Sequence, residues 1–390
     1  MRGLNLRFFL LQALLILVEC ITISYVSPIL VSLGYSNLRI GWVMTLGTLA
    51  STLARPVWGV VNDRFSRPKQ IIPVNIALGS ACYFLLTHGG GQPALTALAV
   101  MGMHITIVCM ANFTDSWALR LISGGAALNY GVTRAGGSLS YAVGAFLFGA
   151  ISARWGFRPG NYILWVLLAL MCAVICTLPN PPAGAPGREA AAPRRGLSAL
   201  AGNRPYWLML LALFLTTLTS CPIENFSSVL ILSLGGTEQH VGAALFIQAM
   251  SELPVMAGYA RLRKRLRLSP AALLGVSMLC WGLRALVLSC ASALWMVLAA
   301  ALFQSLTFAL FTTACVDFML EAVPPDCLST AYLLFLALGQ GAAAMVGSTL
   351  GGALADRLGI PSMFRLVSLL ALTGSCLAWR AARLQKHSAA

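Results

Sequence analysis

The chain has 390 residues, of which 58% are hydrophobic and only 9% are charged, and its net charge is +15. A soluble domain is about one quarter charged, so these few charges exclude a soluble protein of this length and predict a bilayer-embedded one. The basic residues lie in short segments between apolar runs, which indicates orientation in a membrane and excludes nucleic-acid binding.

The apolar runs, taken in chain order, predict about twelve transmembrane helices, since one span needs about 20 mostly apolar residues. The first six lie near 8–33, 38–61, 70–87, 93–117, 133–153 and 160–178. The second six lie near 205–233, 239–259, 270–290, 293–317, 331–354 and 361–380. The segment 179–204, rich in Pro, Ala and Gly, predicts a flexible cytoplasmic linker. We therefore predict an all-α membrane protein with bundles 1–178 and 205–390.

The distribution of lysine and arginine predicts the orientation. The first run follows Arg2 and Arg7 and has no small-residue cleavage site, which indicates a span rather than a signal peptide. With the N-terminus inside, 18 of the 26 basic residues fall in inner segments. Positive residues remain on the cytoplasmic side of a membrane, so we predict that both termini are cytoplasmic. We expect the protein itself to lie in the cell membrane.

The two predicted bundles also repeat in sequence. The related positions, at offsets of 201 to 203, are Gly34/Gly235, Gly41/Gly242, Asp115/Asp317, Gly144/Gly347, Gly149/Gly352, Arg154/Arg357 and Gly156/Gly359. Duplicated bundles of six helices are common in membrane carriers. The repeat therefore predicts two pseudo-symmetric six-helix bundles.

Ionisable side chains within the apolar runs are the candidate functional residues. The acids are Glu19, Asp115, Glu224, Glu252 and Asp317, and the most deeply placed arginines are Arg134 and Arg284. Each charge near the bilayer centre costs about 2.5–3.5 kcal/mol. These acids must therefore line a wet cavity, pair with a cation or stay protonated. We expect them to face one central water-accessible path.

No enzymatic or metal-binding pattern stands out. The cysteines lack CxxC or zinc spacing, and the HGGG run at 88–91 has no accompanying G-x-S-x-G nucleophile turn. The sequence therefore predicts no metal, no cofactor and no enzymatic activity.

The segment PVWGVVNDRFSRPK at 56–69 resembles the loop signature of the major facilitator superfamily. The matching residues are Gly59, Asp63, Arg64 and Lys69, whereas Ser66 and Pro68 depart from the pattern. In that family the loop engages neighbouring helix ends and helps to set the inward- and outward-facing states. The resemblance implies the same conformational role here.

Short runs in the fifth, eighth and tenth spans (YGVTRAGGS, SELP and SLTF) resemble the branch of lactose, phenylpropionate and nucleoside permeases. The resemblance implies that Arg134 and Asp115 contact the substrate, and that Arg284 takes part in proton coupling. Gln304 and Thr307 stand near the positions of that branch's tenth-span histidine and glutamate.

Two further assignments complete the predicted sites. We assign Glu19 and His104 to the substrate site. His104 lies about three helical turns from Asp115 on the same predicted span. If transport is coupled to protons, Glu224, Glu252 or Asp317 must bind the proton, because this chain lacks the tenth-span histidine and glutamate of the permease branch.

These observations predict a secondary transporter that works by alternating access, and the resemblance implies that it is a monomer. Its expected partners are the lipid bilayer, protons, and a small polar or aromatic solute of the sugar, nucleoside or aromatic-acid class. Proton-coupled symport is the expected mode. A proton-driven exporter shares most of the features, and a transport-incompetent sensor is the third reading.

Overall fold

A computed structural model describes residues 2–65, 67–180, 200–324 and 327–389. Within these ranges the chain forms twelve long helices and no strand. They are α1 (Gly3–Ser32), α2 (Asn37–Phe65), α3 (Pro68–His88), α4 (Pro93–Ser123), α5 (Tyr130–Trp155), α6 (Pro159–Thr177), α7 (Arg204–Ser233), α8 (Glu238–Leu266), α9 (Pro270–Ser289), α10 (Leu294–Ala322), α11 (Thr330–Leu358) and α12 (Ile360–Ala389).

Most of the helices have the length and hydropathy that membrane spans require. Eleven of them qualify on both criteria, and α2 is long enough but less apolar. The predicted all-α polytopic membrane protein is therefore confirmed. Several helices run past the predicted spans; α8, for example, continues to Leu266 through a basic stretch. Helical hydrogen bonding does not stop where the apolar run stops, so hydropathy alone set these ends too early.

Proline begins several of the helices. Pro68, Pro93, Pro159 and Pro270 occupy the first turns of α3, α4, α6 and α9. Proline suits this position because its fixed φ is helical and its missing N–H would have no helical partner. The α9 helix is also capped by the side chain of Ser269, which accepts a hydrogen bond from the Ala272 amide.

The chain divides into two compact units. Unit 1 comprises Met1–Tyr35, Leu46–Arg188 and Gly235–Met250, and unit 2 comprises Ser36–Thr45, Glu189–Leu234 and Ser251–Ala390. Each unit thus contains one segment from the other side of the predicted linker. The division into bundles 1–178 and 205–390 stays a prediction, and 181–199 of the linker lie outside the described residues.

In unit 1 the start of α8 crosses α5 at two small residues of the repeat. A Cβ on Gly149 would lie 2.6 Å from the Glu238 carbonyl oxygen, and one on Gly242 would lie 2.5 Å from that of Ala145. The Tyr25 hydroxyl donates to the same Ala145 carbonyl at 2.5 Å. Only glycine allows these two backbones to approach so closely.

In unit 2 the start of α2 crosses α11 at the corresponding positions of the repeat. Gly41 lies against Ser348 and Gly352, where a Cβ on Gly41 would come 3.4 Å from the Gly352 Cα. The Asp356 carboxylate accepts hydrogen bonds of 2.9 Å from the backbone amides of both Asn37 and Leu38. Two repeated glycine pairs therefore mark equivalent helix crossings.

A second feature of the repeat is a single π-helical turn in α4 and another in α10. These turns span His104–Val108 and Ser305–Ala309, an offset of 201 (305 − 104). A π-turn releases a backbone carbonyl from the helical pattern and is often found at functional sites. The Ile105 carbonyl in α4 accepts a hydrogen bond from the Trp58 indole at 3.0 Å.

Candidate functional site

Unit 1 holds a group of polar side chains that we call the unit 1 cluster. Its members are Gln12 and Glu19 on α1, Arg55 on α2, Asp115 on α4 and Arg134 on α5. Four helices thus contribute to one group.

Asp115 is the most fully bonded member of the unit 1 cluster. One carboxylate oxygen pairs with the Arg134 guanidinium at 3.1 Å, and the other accepts the Gln12 amide at 2.8 Å. The Oε1 atom of Gln12 is in turn bonded to the Thr114 hydroxyl at 2.9 Å. At 1.5 Å per residue, Asp115 lies about 12 Å along α4 from its end at Ser123. Asp115 therefore lies about two turns inside α4.

Exposure differs sharply across this ion pair. The side chain of Arg134 is 52% exposed, whereas that of Asp115 is 21% exposed. Glu19 is half-buried and lies within electrostatic reach of Arg134 and of the exposed Arg55. Two carboxylates and two guanidinium groups are thus present, so the formal charges of the unit 1 cluster balance.

His104 lies apart from Asp115. It is buried at the start of the α4 π-turn, where Nδ1 lies 2.9 Å from the Val100 carbonyl and the ring packs against Gly47. Eleven residues of helix separate it from Asp115 by about 16 Å. The structure therefore brings Asp115, Arg134 and Glu19 together, whereas His104 lies away from Asp115 and only within electrostatic reach of Arg55.

Unit 2 holds a second group, which we call the unit 2 cluster. Its members are Glu224 on α7, Glu252 on α8, Arg284 on α9 and Gln304 on α10. Arg284 donates to Gln304 Oε1, and Glu252 shares a side-chain hydrogen bond with Gln304. Glu224 lies within electrostatic reach of both Arg284 and Glu252.

Arg284 has a much drier setting than Arg134. Its side chain is 2% exposed, and its guanidinium lies over the Trp281 ring, 5.4 Å from the centroid. Glu252 is half-buried, and Glu224 is exposed. Two carboxylates therefore share one guanidinium, so the formal charge of the unit 2 cluster is one negative charge in excess.

Asp317 does not join the unit 2 cluster. It lies about 8 Å from the end of α10, at 1.5 Å per residue. It pairs with Arg263 at 2.6 Å and accepts the Tyr259 hydroxyl at 3.1 Å. Arg263 also pairs with Glu321, which makes a separate ion-pair group between α8 and α10.

The loop signature is only partly described. Gly59 lines a cleft of about 120 Å³ with Arg55, Trp58 and Asn112, and Lys69 lies in the first turn of α3. The side chains of Asp63 and Arg64 lie outside the described residues. The conformational role of this loop stays a prediction.

Gln12 was not among the site residues predicted from the sequence, and Gln304 was noted there only as a departure from the permease pattern. Both glutamines are buried, and each bonds a carboxylate of its cluster. A buried amide without partners is costly, so an amide inside an apolar run is a usable signal. An amide is nevertheless a weaker signal than a charge, because burying it costs less.

The sequence pattern of the MFS_1 like family matches residues 7–366. A maltose permease of Geobacillus stearothermophilus is 29% identical over 343 residues, covering 87% of this chain and 84% of the relative. A putative sugar efflux transporter of Deinococcus radiodurans is 26% identical over 238 residues, covering 57% and 59%.

Solved structures share the fold. A crystal structure of a mutant of the nucleoside transporter NupG has a TM-score of 0.83 at 14% identity, covering 97% of this chain and 99% of that one. At this identity the likeness shows the fold alone.

Proposed function

We propose that this chain, which belongs to the MFS_1 like family of the major facilitator superfamily, carries a sugar across the membrane in symport with protons. The chain is a multi-pass membrane transporter for a small molecule and not an enzyme, as its relatives are transporters. The sugar, the proton and the direction are the parts that we propose.

The observation that carries the substrate assignment is the Asp115–Arg134 pair. A carboxylate and a guanidinium fork present oriented acceptors and donors, which suit the hydroxyl groups of a sugar. The exposed Arg134 has donors left for a ligand, and Glu19 lies within reach of it. The maltose permease relative supports the sugar class among the three predicted ones.

An experiment can distinguish a sugar-binding role of the Asp115–Arg134 pair from a purely structural role. An ion pair that only ties α4 to α5 should survive exchange of its charges, as in Asp115→Arg with Arg134→Asp. A pair that binds sugar should not, because the donor fork and the acceptor would face the wrong hydroxyls. We expect each single variant and the exchanged double variant to lose sugar binding, measured by equilibrium binding of radiolabelled maltose.

The unit 2 cluster supports the proton assignment. An excess carboxylate at membrane depth must either be hydrated or take up a proton, and the unit 1 cluster has no such excess. Glu224 and Glu252 are therefore our candidate proton carriers, with Arg284 between them. Asp317, with its own arginine, is the weakest of the four coupling assignments.

Reconstituted protein tests the proposal directly. Proteoliposomes with an acidic exterior should accumulate maltose above the external concentration, and a protonophore should abolish the accumulation. A panel of maltose, glucose and uridine compares the solute classes. Accumulation of uridine but of neither sugar would contradict the sugar class.

A proton-driven exporter is the second candidate, and the sugar efflux relative favours it. In that case an acidic interior would drive sugar uptake into the vesicles, and an acidic exterior would not. We further propose a monomer in the cell membrane with both termini in the cytoplasm, as the lysine and arginine distribution predicts. Cysteine-accessibility labelling of the termini in intact cells checks the orientation.

A further inference from the structure

Gln304 lies at the centre of the unit 2 cluster without a role in the proposed function. It is buried, it directly precedes the π-turn Ser305–Ala309 of α10, and it touches both a cation and an acid. Its amide is neutral but polar, with an acceptor oxygen on one branch and two donor hydrogens on the other. The direction in which this amide points therefore distinguishes the two carboxylates.

Arg284 fixes the direction of the amide. A guanidinium only donates hydrogen bonds, so the atom of Gln304 that meets it must be the oxygen, as the structure has it. The NH₂ group of Gln304 then donates its hydrogen bond to Glu252, the other partner of Gln304. A carboxyl group that receives a donor is stabilised in its ionised form.

Glu224 has a different set of neighbours. It is exposed, and it lies near Arg284 and beside the thiol of Cys221, one turn earlier on α7. In the described residues the buried Nε–H of Arg284 has no hydrogen-bond partner. An ionised Glu224 can therefore accept a hydrogen bond from the Nε–H of Arg284, whereas a protonated Glu224 carries no charge that this donor would stabilise.

We propose that Gln304 is a positioning residue that assigns the exchangeable proton of the unit 2 cluster to Glu224 and keeps Glu252 as the permanent counter-ion of Arg284. This inference rests on the proposed function and deepens it. The charged and titratable groups around the exchangeable proton are Glu224, Glu252, Arg284 and the Cys221 thiol. Loss of the proton from Glu224 leaves its carboxylate free to pair with Arg284, and regaining the proton releases it.

Infrared spectroscopy of the purified protein tests this assignment without any transported solute. The C=O stretch of a protonated carboxyl group should disappear on raising the pH. We expect Glu224→Asp, which keeps the charge count of the cluster, to shift the frequency of this band, and Glu252→Asp to leave it unchanged. A shift in Glu252→Asp would overturn the proposal.

The role of Gln304 itself is tested with Gln304→Met, which keeps the length and removes both hydrogen bonds. In this background either carboxyl can hold the proton, so Glu224→Asp and Glu252→Asp should each shift part of the band. Gln340→Met, at an exposed glutamine of α11, is the matched control and should leave the band confined to Glu224. A band that still depends on Glu224 alone in Gln304→Met would contradict the role. The comparison between Glu224 and Glu252 stands even if Gln304→Met does not fold.

Transport supplies the second readout. Gln304→Met should lower gradient-driven accumulation by roughly tenfold or more, since a hydrogen bond to a charged group is lost. Maltose exchange without a gradient should change little, because the unit 1 cluster is intact. Equal loss of exchange and accumulation would indicate a merely structural glutamine. Complete lack of sugar transport in the wild type, with the infrared result as expected, would reject the proposed substrate and keep this inference.

Discussion

Arg134 in unit 1 and Arg284 in unit 2 meet their carboxylates in opposite surroundings. Arg134 is 52% exposed beside a bonded Asp115, whereas Arg284 is 2% exposed beside two acids and a glutamine. An exposed arginine with spare donors is suited to a ligand. A buried one has lost its water and depends on fixed partners. The difference teaches that burial is one property by which different roles can be proposed for two arginines of one chain.

Despite this contrast, the two clusters share one arrangement, a buried glutamine bonded to a carboxylate and to a donor. In each, a buried glutamine directs its NH₂ group to a carboxylate and its oxygen to a donor. Gln12 completes a charge-balanced group, and Gln304 lies in a group with one acid in excess. The excess acid, rather than the arginine, is what distinguishes the proposed proton site from the proposed sugar site.

The largest expected effect is that of Arg284→Ala. Removing the buried guanidinium leaves Glu224 and Glu252 without their counter-ion, which should cost more than an exposed ion pair contributes, about 0–1 kcal/mol. We expect a large fall in thermal stability in detergent together with loss of proton-driven accumulation. Arg134→Ala is the matched control, and a stability loss no greater than in that variant would break the comparison.

Arg134→Ala should chiefly affect binding. An exposed ion pair contributes only about 0–1 kcal/mol to folding, so the unfolding temperature should change little. Loss of a guanidinium bonded to the sugar should weaken maltose binding roughly tenfold or more. Equilibrium binding and thermal unfolding on the same sample measure both quantities. A stability loss with unchanged affinity would mean that the pair is only structural.

Thr114→Val should have a smaller effect and sharpens the role of Gln12. The valine removes the hydroxyl that holds Gln12 Oε1 and keeps the shape of the side chain. One neutral hydrogen bond contributes about 0.5–1.5 kcal/mol. We expect a loss of stability within that range and a lesser loss of maltose affinity, seen by thermal unfolding and binding. Affinity lost as completely as in Arg134→Ala would place Thr114 in direct contact with the sugar.

The smallest expected effect on coupling is that of Asp317→Asn. Because Asp317 pairs with Arg263 outside the unit 2 cluster, the ratio of driven accumulation to exchange should stay near that of the wild type. Proteoliposome assays with and without a pH gradient give this ratio. A variant that exchanges sugar but no longer accumulates it would return Asp317 to the proton pathway.

The repeat shows how far sequence reasoning reaches into the candidate sites. It indicated related positions at Gly41 and Gly242, and both lie at close helix crossings. It also related Asp115 to Asp317, yet their partners are not equivalent. Asp115 pairs with an arginine of α5, and Asp317 pairs with one of α8. Close crossings belong to the shared fold, whereas ion pairs change with single substitutions.

Sequence alone determined that this chain is an all-α membrane protein of about twelve helices in the major facilitator superfamily. Hydropathy, helix length and short motifs are local properties, and they persist in any arrangement of the helices. Only the tertiary structure decided that Glu19 joins Asp115 and Arg134, that His104 and Asp317 lie apart, and that Arg284 is dry while Arg134 is exposed. These outcomes depend on how each helix is rotated and packed against its neighbours, which no single apolar run encodes.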